Sequence, residues 1–242
     1  MSEVKRRRRD AGSIRYGLRD MVGMSWCATQ GAMRIDHLAQ LFSQIDQRAV
    51  SIDAARKSVR RWLDRGWATS RTLLRGQPAF VWLTPAGMRV SGLNFPCEEP
   101  ALTTLAHNAD VAAIRLTIQT AYPNGIQWRS ERSIRAVVPP RTRGQRSPHL
   151  PDGEIIFPDG QIVAIERERI AKTIERTRNI QMGLLTRRYD YDATSDVIVA
   201  SLPPRYSAVY YYASDEALSV VQKAAASLPG DLGSRLQIVR WP

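Results

Sequence analysis

The sequence contains only two cysteines, Cys27 and Cys97. Two isolated cysteines can form neither a disulfide framework nor the paired ligands of a structural zinc site. No apolar run approaches the roughly 18 residues that cross a membrane, and the basic run after Met1 lacks the apolar core of a secretory signal. These absences predict a cytoplasmic protein in a reducing compartment, without a membrane partner.

Acidic residues are also scarce relative to basic ones, with 23 Asp+Glu against 35 Lys+Arg and a net charge of +12. A chain of 242 residues forms one large domain or two ordinary ones. The first 100 residues hold 17 basic and 9 acidic side chains, so +8 of the excess lies there. Such a balance favours nucleic acid, which would place the protein with the nucleoid.

Residues 1–12 form the most basic segment and contain Arg6, Arg7 and Arg8. The segment is too charged to pack, so we expect a disordered arm. Such an arm can lie along DNA phosphates, and the alternative is a solubilising tail.

Residues 13–95 have the pattern of three helices, at 14–31, about 35–42 and 51–66, with a turn at 43–50. The third helix has one apolar face, and most of its remaining surface is basic: Arg56, Lys57, Arg60, Arg61 and Arg65. Like charges four residues apart cost a few tenths of a kcal/mol each. The helix is therefore expected to face an anion, as a recognition helix does in the major groove. The alternative is a solvated helix face.

Period-two patterns follow at 67–74 and 79–83 and predict a hairpin that carries Arg71 and Arg75. Thr84 and Pro85 then have the types expected at an N-cap and a first helical position. Three helices, a hairpin and a closing helix resemble the winged helix-turn-helix superfamily. The resemblance implies a domain that binds double-stranded DNA, and a homodimer is a further expectation for such a domain.

A short Pro-bearing acidic linker at 96–100 separates this domain from a second one at 101–242. The second domain is expected to have a mixed α/β fold, so that the two domains together form an α+β protein. A mobile basic loop is expected at 139–151. Its elements are predicted as helices at 101–122, 170–189 and 214–228 and strands at 126–134, 154–157, 161–168, 195–202, 208–213 and 236–241.

Three carboxylates fall on adjacent strands of the second domain. Asp152 opens one strand, and Glu166 and Glu168 share a face of the next because side chains alternate. Such carboxylates suit a divalent cation, and Mg²⁺ is the cofactor expected here. A bound Mg²⁺ can activate water for attack on a phosphate. The alternatives to a metal site are that Asp152 is only a turn residue and that the two glutamates lie on a solvated face of the strand.

Pro151, Asp152 and Glu166 within an α-β-β-β-α-β order resemble the PD-(D/E)xK nuclease superfamily over residues 101–202. The resemblance implies that Asp152 and Glu166 bind metal. Glu168 stands where that superfamily has a catalytic lysine, and Lys172 on the next predicted helix could replace it. The implied catalytic set is Asp152, Glu166, Glu168 and Lys172.

The whole arrangement is similar to the replication-relaxation family of actinobacterial plasmids and integrative elements. The motifs that carry this are "W-x-S-E-R", "H-x-P-D-G" and "A-x-E-x-E-x-x-x-K", with Trp128, Ser130, Glu131, Arg132, His149, Pro151, Asp152, Gly153, Ala164, Glu166, Glu168 and Lys172. The resemblance implies a DNA-binding protein of a mobile element. Because Glu168 stands where a lysine is expected, the nuclease-like domain is expected to be inactive or accessory. A metal-dependent endonuclease using Asp152 and Glu166 is the alternative, and an adaptor is a third. His149, and His107 with Asp110, are secondary site candidates.

Overall fold

The computed structural model describes residues 16–123, 125–139, 148–188 and 203–242. The predicted arm with Arg6, Arg7 and Arg8, most of the predicted basic loop and the strand predicted at 195–202 lie outside the described residues.

The N-terminal part combines four helices with a small antiparallel sheet in the order β1-β3-β2. Its elements are α1 (Leu18–Gln30), β1 (Met33–Arg34), α2 (Ile35–Asp46), α3 (Ile52–Asp64), β2 (Ala68–Arg71), β3 (Phe80–Leu83) and α4 (Pro85–Ser91). Strands β2 and β3 form the predicted hairpin, with Ala68 opposite Leu83. Strand β1 was not predicted, because two residues carry no periodicity.

Helix α3 has the two faces that its sequence predicts. Ser51 caps it by accepting a hydrogen bond from the Ala54 amide. Ala55, Val59 and Trp62 are buried in the core of this part of the chain. The opposite face is exposed, so the helix is held by one apolar stripe.

Helix α2 is longer than predicted and corrects the turn expected at 43–50. It continues to Asp46, and Ile45 in this additional turn packs against the N-terminal core. Gln47 then ends the helix in a left-handed conformation, with φ of 54°. The connection to α3 is therefore only a few residues long.

The C-terminal part contains a mixed five-stranded sheet in the order β4-β5-β6-β7-β8. Strands β4 to β6 are antiparallel, and β6 to β8 are parallel. Its elements are α5 (Leu102–Ala121), β4 (Gln127–Ser130), α6 (Glu131–Arg135), β5 (Gly153–Ile156), β6 (Ile162–Glu168), α7 (Ile174–Leu185), β7 (Ala208–Ala213), α8 (Asp215–Ala226) and β8 (Leu236–Arg240). This arrangement confirms the predicted α/β class.

Two predicted boundaries in this part are wrong. Residues 131–134, predicted as strand, form α6, because the Ser130 hydroxyl caps a helix at the Ser133 amide. Helix α7 begins at Ile174 rather than 170, since Thr173 is its N-cap. Lys172 therefore precedes α7 instead of lying one turn inside it.

Helix α5 connects the two parts. Its Ala112 and Leu116 belong to the N-terminal core, while Ile114 and Ile118 pack under the five-stranded sheet. Gln44 on α2 also donates to the Leu116 carbonyl. A rigid helix that contributes to both cores fixes the position of the sheet relative to α3. Within the described residues, no helix is both long and apolar enough to cross a membrane.

His37 on α2 provides a pH test of this fold. It is 5 % exposed and its Nδ1 lacks a hydrogen-bond partner, so burial lowers its pKa from 6.5 to about 4. In the unfolded chain the His37 imidazole therefore binds a proton below pH 6.5, whereas in the folded protein it binds one only below about pH 4. Lowering the pH from 7 to 4.5 should reduce the free energy of unfolding of both proteins, but by about 2 kcal/mol less in His37→Gln than in the unchanged protein. Urea unfolding at both pH values measures it, and equal losses in the two proteins would contradict it.

Candidate functional site

Asp152, directly before β5, is fixed by three different elements. Its Oδ2 accepts the Arg167 backbone N–H of β6 at 2.6 Å. Its Oδ1 lies 2.8 Å from Nε2 of His107 on α5. Its backbone carbonyl accepts the amide of Glu131, the first residue of α6. These bonds give Asp152 more support than a turn residue needs, and they aim its carboxylate at β6.

Glu166 lies on β6 beside Asp152 and is 3 % exposed. Its Oε1 is 2.9 Å from Nε2 of His149, whereas its Oε2 is buried with no hydrogen-bond partner. Burial, followed by the negative charge of Asp152, raises the pKa of Glu166 to about 7. A buried carboxylate oxygen without a donor is costly, so this position is suited to a cation.

The two histidines come to the carboxylates from different places, His107 from α5 and His149 from the segment before β5. Burial lowers the pKa of each, but the hydrogen bond and charge of its carboxylate outweigh burial and raise the pKa overall. The predicted pairing of His107 with Asp110 is absent: Asp110 instead binds Arg167 and Arg169. Sequence reasoning treated both histidines as secondary, although each contacts one of the paired carboxylates.

Glu168 and Lys172 form an ion pair next to this site. Lys172 Nζ lies 2.5 Å from Glu168 Oε2, and the Tyr211 hydroxyl donates to the same oxygen at 3.5 Å. Glu168 stands where the superfamily resembled has its catalytic lysine, and the Lys172 ammonium group lies beside that position. Glu168 is 4 % exposed, so the alternative that Glu166 and Glu168 form a solvated face is wrong.

The donor set decides which metal would fit. In the part of the chain that the structure describes, no group of three or more His, Cys, Asp or Glu could hold a metal ion. Asp152 and Glu166 remain as a pair, with Glu166 Oε2 free to bind. Two carboxylates fit a Mg²⁺-like cation that keeps several waters or takes phosphate oxygens, and they do not fit a closed zinc site.

The "W-x-S-E-R" motif proves to join the two parts of the chain. The Trp128 ring lies against Gly153, where a Cβ would be 2.3 Å from Trp128 Cζ2. The Arg115 guanidinium stacks on Trp26 of α1 at 3.6 Å and faces Trp128 at 5.7 Å. Because Gly153 follows Asp152 directly, this stack connects α1 to the carboxylate pair.

Arg132 of the same motif joins α6 to α1 and to the predicted linker. It donates to the Ala28 carbonyl at 2.7 Å and to the Pro96 carbonyl. Its guanidinium also lies over the Phe95 ring, 5.1 Å from the centroid. The linker is thereby packed against both parts.

Three of the predicted DNA-binding residues on α3 are free or weakly held. Arg56 pairs with Asp53 on the same helix at 2.7 Å, and both side chains are well exposed. Lys57 and Arg60 are exposed and make no ion pair or side-chain hydrogen bond with another described residue. These two cations are available to an external anion.

Arg61 and Arg65 are engaged within the protein. Arg61 is 2.8 Å from buried Asp20, which also accepts the Trp62 indole N–H at 2.7 Å. The Arg65 guanidinium lies over the Trp67 ring at 5.2 Å. Both side chains remain exposed at their outer surface, so they stabilise α3 while keeping its charge positive.

The two predicted hairpin cations, Arg71 and Arg75, also differ in whether an acidic side chain of the protein already pairs with them. Arg71 pairs with Glu99 of the linker at 3.1 Å, across exposed surface. Arg75 lies in the turn between β2 and β3, is exposed, and has no ion-pair partner among the described residues. The turn therefore presents one free cation in addition to Lys57 and Arg60.

A cleft of about 600 Å³ lies between the end of α1, the linker, α5 and α6. Asp152 and His107 form part of its wall. Asp152 is thus reached from a cavity that both parts of the chain line, whereas Glu166 does not line it. Comparisons with protein-family models, with curated proteins and with solved structures found no match.

Proposed function

We propose that the protein binds double-stranded DNA through a winged helix-turn-helix domain, with α3 as the recognition helix and the β2–β3 hairpin as the wing. The exposed basic face of α3 is the observation that carries this proposal. Lys57 and Arg60 have no internal anion, and Arg56 pairs only with exposed Asp53. A helix that concentrates unneutralised cations on one face gains most from an external polyanion.

The apolar face of α3 supports the same conclusion. Trp62 packs edge-to-face on Phe42 of α2, with ring centroids 6.5 Å apart. Helix α2 therefore lies behind α3 and leaves the basic face open to solvent. This is the arrangement by which a helix-turn-helix motif presents its second helix to the major groove.

Replacing Lys57 and Arg60 together by glutamine is expected to weaken duplex binding ten- to hundredfold. Each lost phosphate contact should also lower the slope of log K against log salt by about 0.9. Fluorescence anisotropy at several salt concentrations measures both quantities. These two residues are preferred to Arg61, because Arg61 binds buried Asp20 and its loss would disturb the fold.

The matched control removes the same charge elsewhere, with Arg176 on α7 and Lys223 on α8 replaced by glutamine. Both are exposed and lie outside the proposed domain. The control should keep most of the affinity and most of the salt slope. Equal losses in the two double variants would mean that net charge, rather than α3, drives binding.

A second candidate function is metal-dependent cleavage of the DNA, in a domain related to the PD-(D/E)xK nucleases. It is favoured by the unsatisfied Oε2 of Glu166 beside Asp152. A Mg²⁺ ion held there would supply a Lewis acid and an activated water. His107 and His149 orient the two carboxylates, and Lys172 offsets the charge of Glu168. If this domain does not cut, the same groups form an accessory DNA-facing site.

The proposed biological setting follows from the resemblance to the replication-relaxation family. We propose that the DNA belongs to a plasmid or an integrative element, where binding would serve replication, transfer or transcriptional control. The ordered motif set at 128–132, 149–153 and 164–172 supports this setting. Affinity for fragments tiled across such an element, compared with chromosomal fragments of equal length, tests it.

A further inference from the structure

Helix α3 carries a carboxylate, Asp53, close to the cations that are proposed to meet DNA. Asp53 is the second residue of α3, and its side chain is 77 % exposed. DNA phosphates are negatively charged and their oxygens only accept hydrogen bonds, so they repel a carboxylate. On a surface that bound phosphates alone, Asp53 would therefore weaken binding.

Asp53 and Arg56 together present both an acceptor and donors. Arg56 Nη1 donates to Asp53 Oδ1 at 2.7 Å, three residues along the helix. Asp53 Oδ2 makes no hydrogen bond with another described residue, and the Arg56 side chain is 62 % exposed. An exposed pair of this kind contributes little to stability. The pair thus leaves one acceptor oxygen and several guanidinium N–H groups open to an external partner.

Base edges in the major groove match this combination, whereas phosphates do not. Guanine presents two acceptors, O6 and N7, that suit a guanidinium, and cytosine presents the N4 amino group, a donor that suits a carboxylate. The N-terminal residues of a recognition helix are the ones that contact base edges. Lys57 and Arg60 make no ion pair with a described carboxylate, so they offer donors alone, as phosphate contacts require.

We propose that Asp53 and Arg56 give α3 its sequence specificity, with Arg56 on a guanine and Asp53 on the N4 amino group of a neighbouring cytosine. This inference rests on the proposed DNA binding and names base pairs that the bound site contains. Lys57 and Arg60 then supply affinity that does not depend on sequence. Because Asp53 holds the guanidinium in place, Arg56 loses less conformational freedom when it meets the guanine.

The test starts from a pool of duplexes with a randomised central segment, from which the full chain selects its preferred site. Fluorescence anisotropy then compares the selected duplex with copies in which single G·C pairs are replaced by A·T. Replacement of the guanine read by Arg56 should lower affinity about 5- to 150-fold, as loss of one bidentate base contact does. Arg56→Lys keeps the charge but loses the planar fork, so discrimination at that position should fall to about threefold while the salt slope stays unchanged.

Asp53→Ala should change affinity and specificity in opposite directions. Removing its charge relieves the repulsion by phosphates, so the unselected pool should bind about two- to tenfold more tightly. Discrimination at the cytosine should be lost, because its amino group no longer meets an acceptor. Asp64→Ala, at the exposed last residue of α3, is the matched control and should keep the full discrimination. Thermal unfolding checks the helix, since an acid in the first turn stabilises it.

Selection that enriches no sequence would overturn this inference while leaving duplex binding through α3 intact. An enriched site whose discrimination survives both Arg56→Lys and Asp53→Ala would also overturn it, because other groups would then read the bases. Loss of discrimination in Asp53→Ala without tighter binding to the pool would assign Asp53 a structural role and contradict its contact with cytosine. Failure of DNA binding itself is seen separately, with the unselected pool and the Lys57 and Arg60 double variant.

Discussion

Glu166→Gln is expected to raise the free energy of unfolding at pH 8 while removing the response of the protein to Mn²⁺. Burial and the charge of Asp152 raise the pKa of Glu166 to about 7, compared with 4.5 ordinarily. Above pH 7 the carboxylate is ionised in both the folded and the unfolded state, and its burial then lowers the free energy of unfolding by on the order of 3 kcal/mol. Below pH 4.5 it is protonated in both states and the opposition vanishes. The variant should therefore gain stability at pH 8 and none at pH 4.

Urea unfolding in EDTA at pH 8 and pH 4 measures the first half of this prediction. For the second half, Mn²⁺ at a hundred times its Kd should stabilise the unchanged protein by about 2.7 kcal/mol. The variant should show almost none of this gain, because it keeps only one carboxylate of the pair. Glu175→Gln, at an exposed site on α7, is the control and should shift stability by less than about 0.5 kcal/mol.

The same variant separates an active nuclease from an accessory domain. If the domain cuts, Mn²⁺-dependent nicking of supercoiled plasmid should fall at least a hundredfold in Glu166→Gln and in Asp152→Asn. Nicking that is indifferent to both changes would place the activity elsewhere. A protein in which Mn²⁺ stabilises the fold but no DNA is nicked would retain the metal site without the reaction. A protein that Mn²⁺ does not stabilise would contradict the metal site itself.

Much of the N-terminal part was predictable because its signals are local. Ser51, Thr84 and Pro85 mark helix starts through hydrogen bonds and dihedral angles that depend only on nearby residues. The hairpin follows from two short alternating runs around Gly76, which has a positive φ of 74°. Boundaries were less predictable, as beyond Ser43, where Ile45 packs against the core and the helix continues to Asp46.

The candidate site was predictable only in part, since it depends on contacts between distant segments. The alternation along β6 correctly put Glu166 and Glu168 on one face. It could not tell that α7 and α8 cover that face, which is why a solvated surface remained an alternative. His107 comes to Asp152 from α5, and no pattern near either residue indicates that pairing.

Other features had a signal that was difficult to interpret. The pair Trp128 and Gly153 occurs in two of the quoted motifs, yet only the structure reveals that the ring lies where a Cβ would be. Arg115 follows His107 and Val111 at four-residue spacing, so all three share a face of α5. That spacing predicts a common surface, but the stacking of Arg115 on Trp26 requires the packing of α1 to be known.

Gly87→Ala is expected to have the largest effect on stability, a loss of about 3 kcal/mol or more. A Cβ at this position of α4 would lie 1.8 Å from the Trp67 carbonyl oxygen and 2.8 Å from its carbon. These are backbone atoms, so no rotamer change can relieve the clash. Trp67 also accepts the Thr84 amide at 3.0 Å, and moving α4 away would weaken that bond next to the paired ends of β2 and β3.

Gly183→Ala is the matched control, and its effect should have the opposite sign. Gly183 lies inside α7, and a Cβ there meets nothing within 4 Å. Alanine in an open helical position stabilises by about 0.5–1 kcal/mol relative to glycine. The free energy of unfolding measured with urea should therefore be lower than that of the unchanged protein in Gly87→Ala and higher in Gly183→Ala. Comparable stability for both variants would mean that α4 does not approach the hairpin closely, and the proposed wing would lose the helix that supports it.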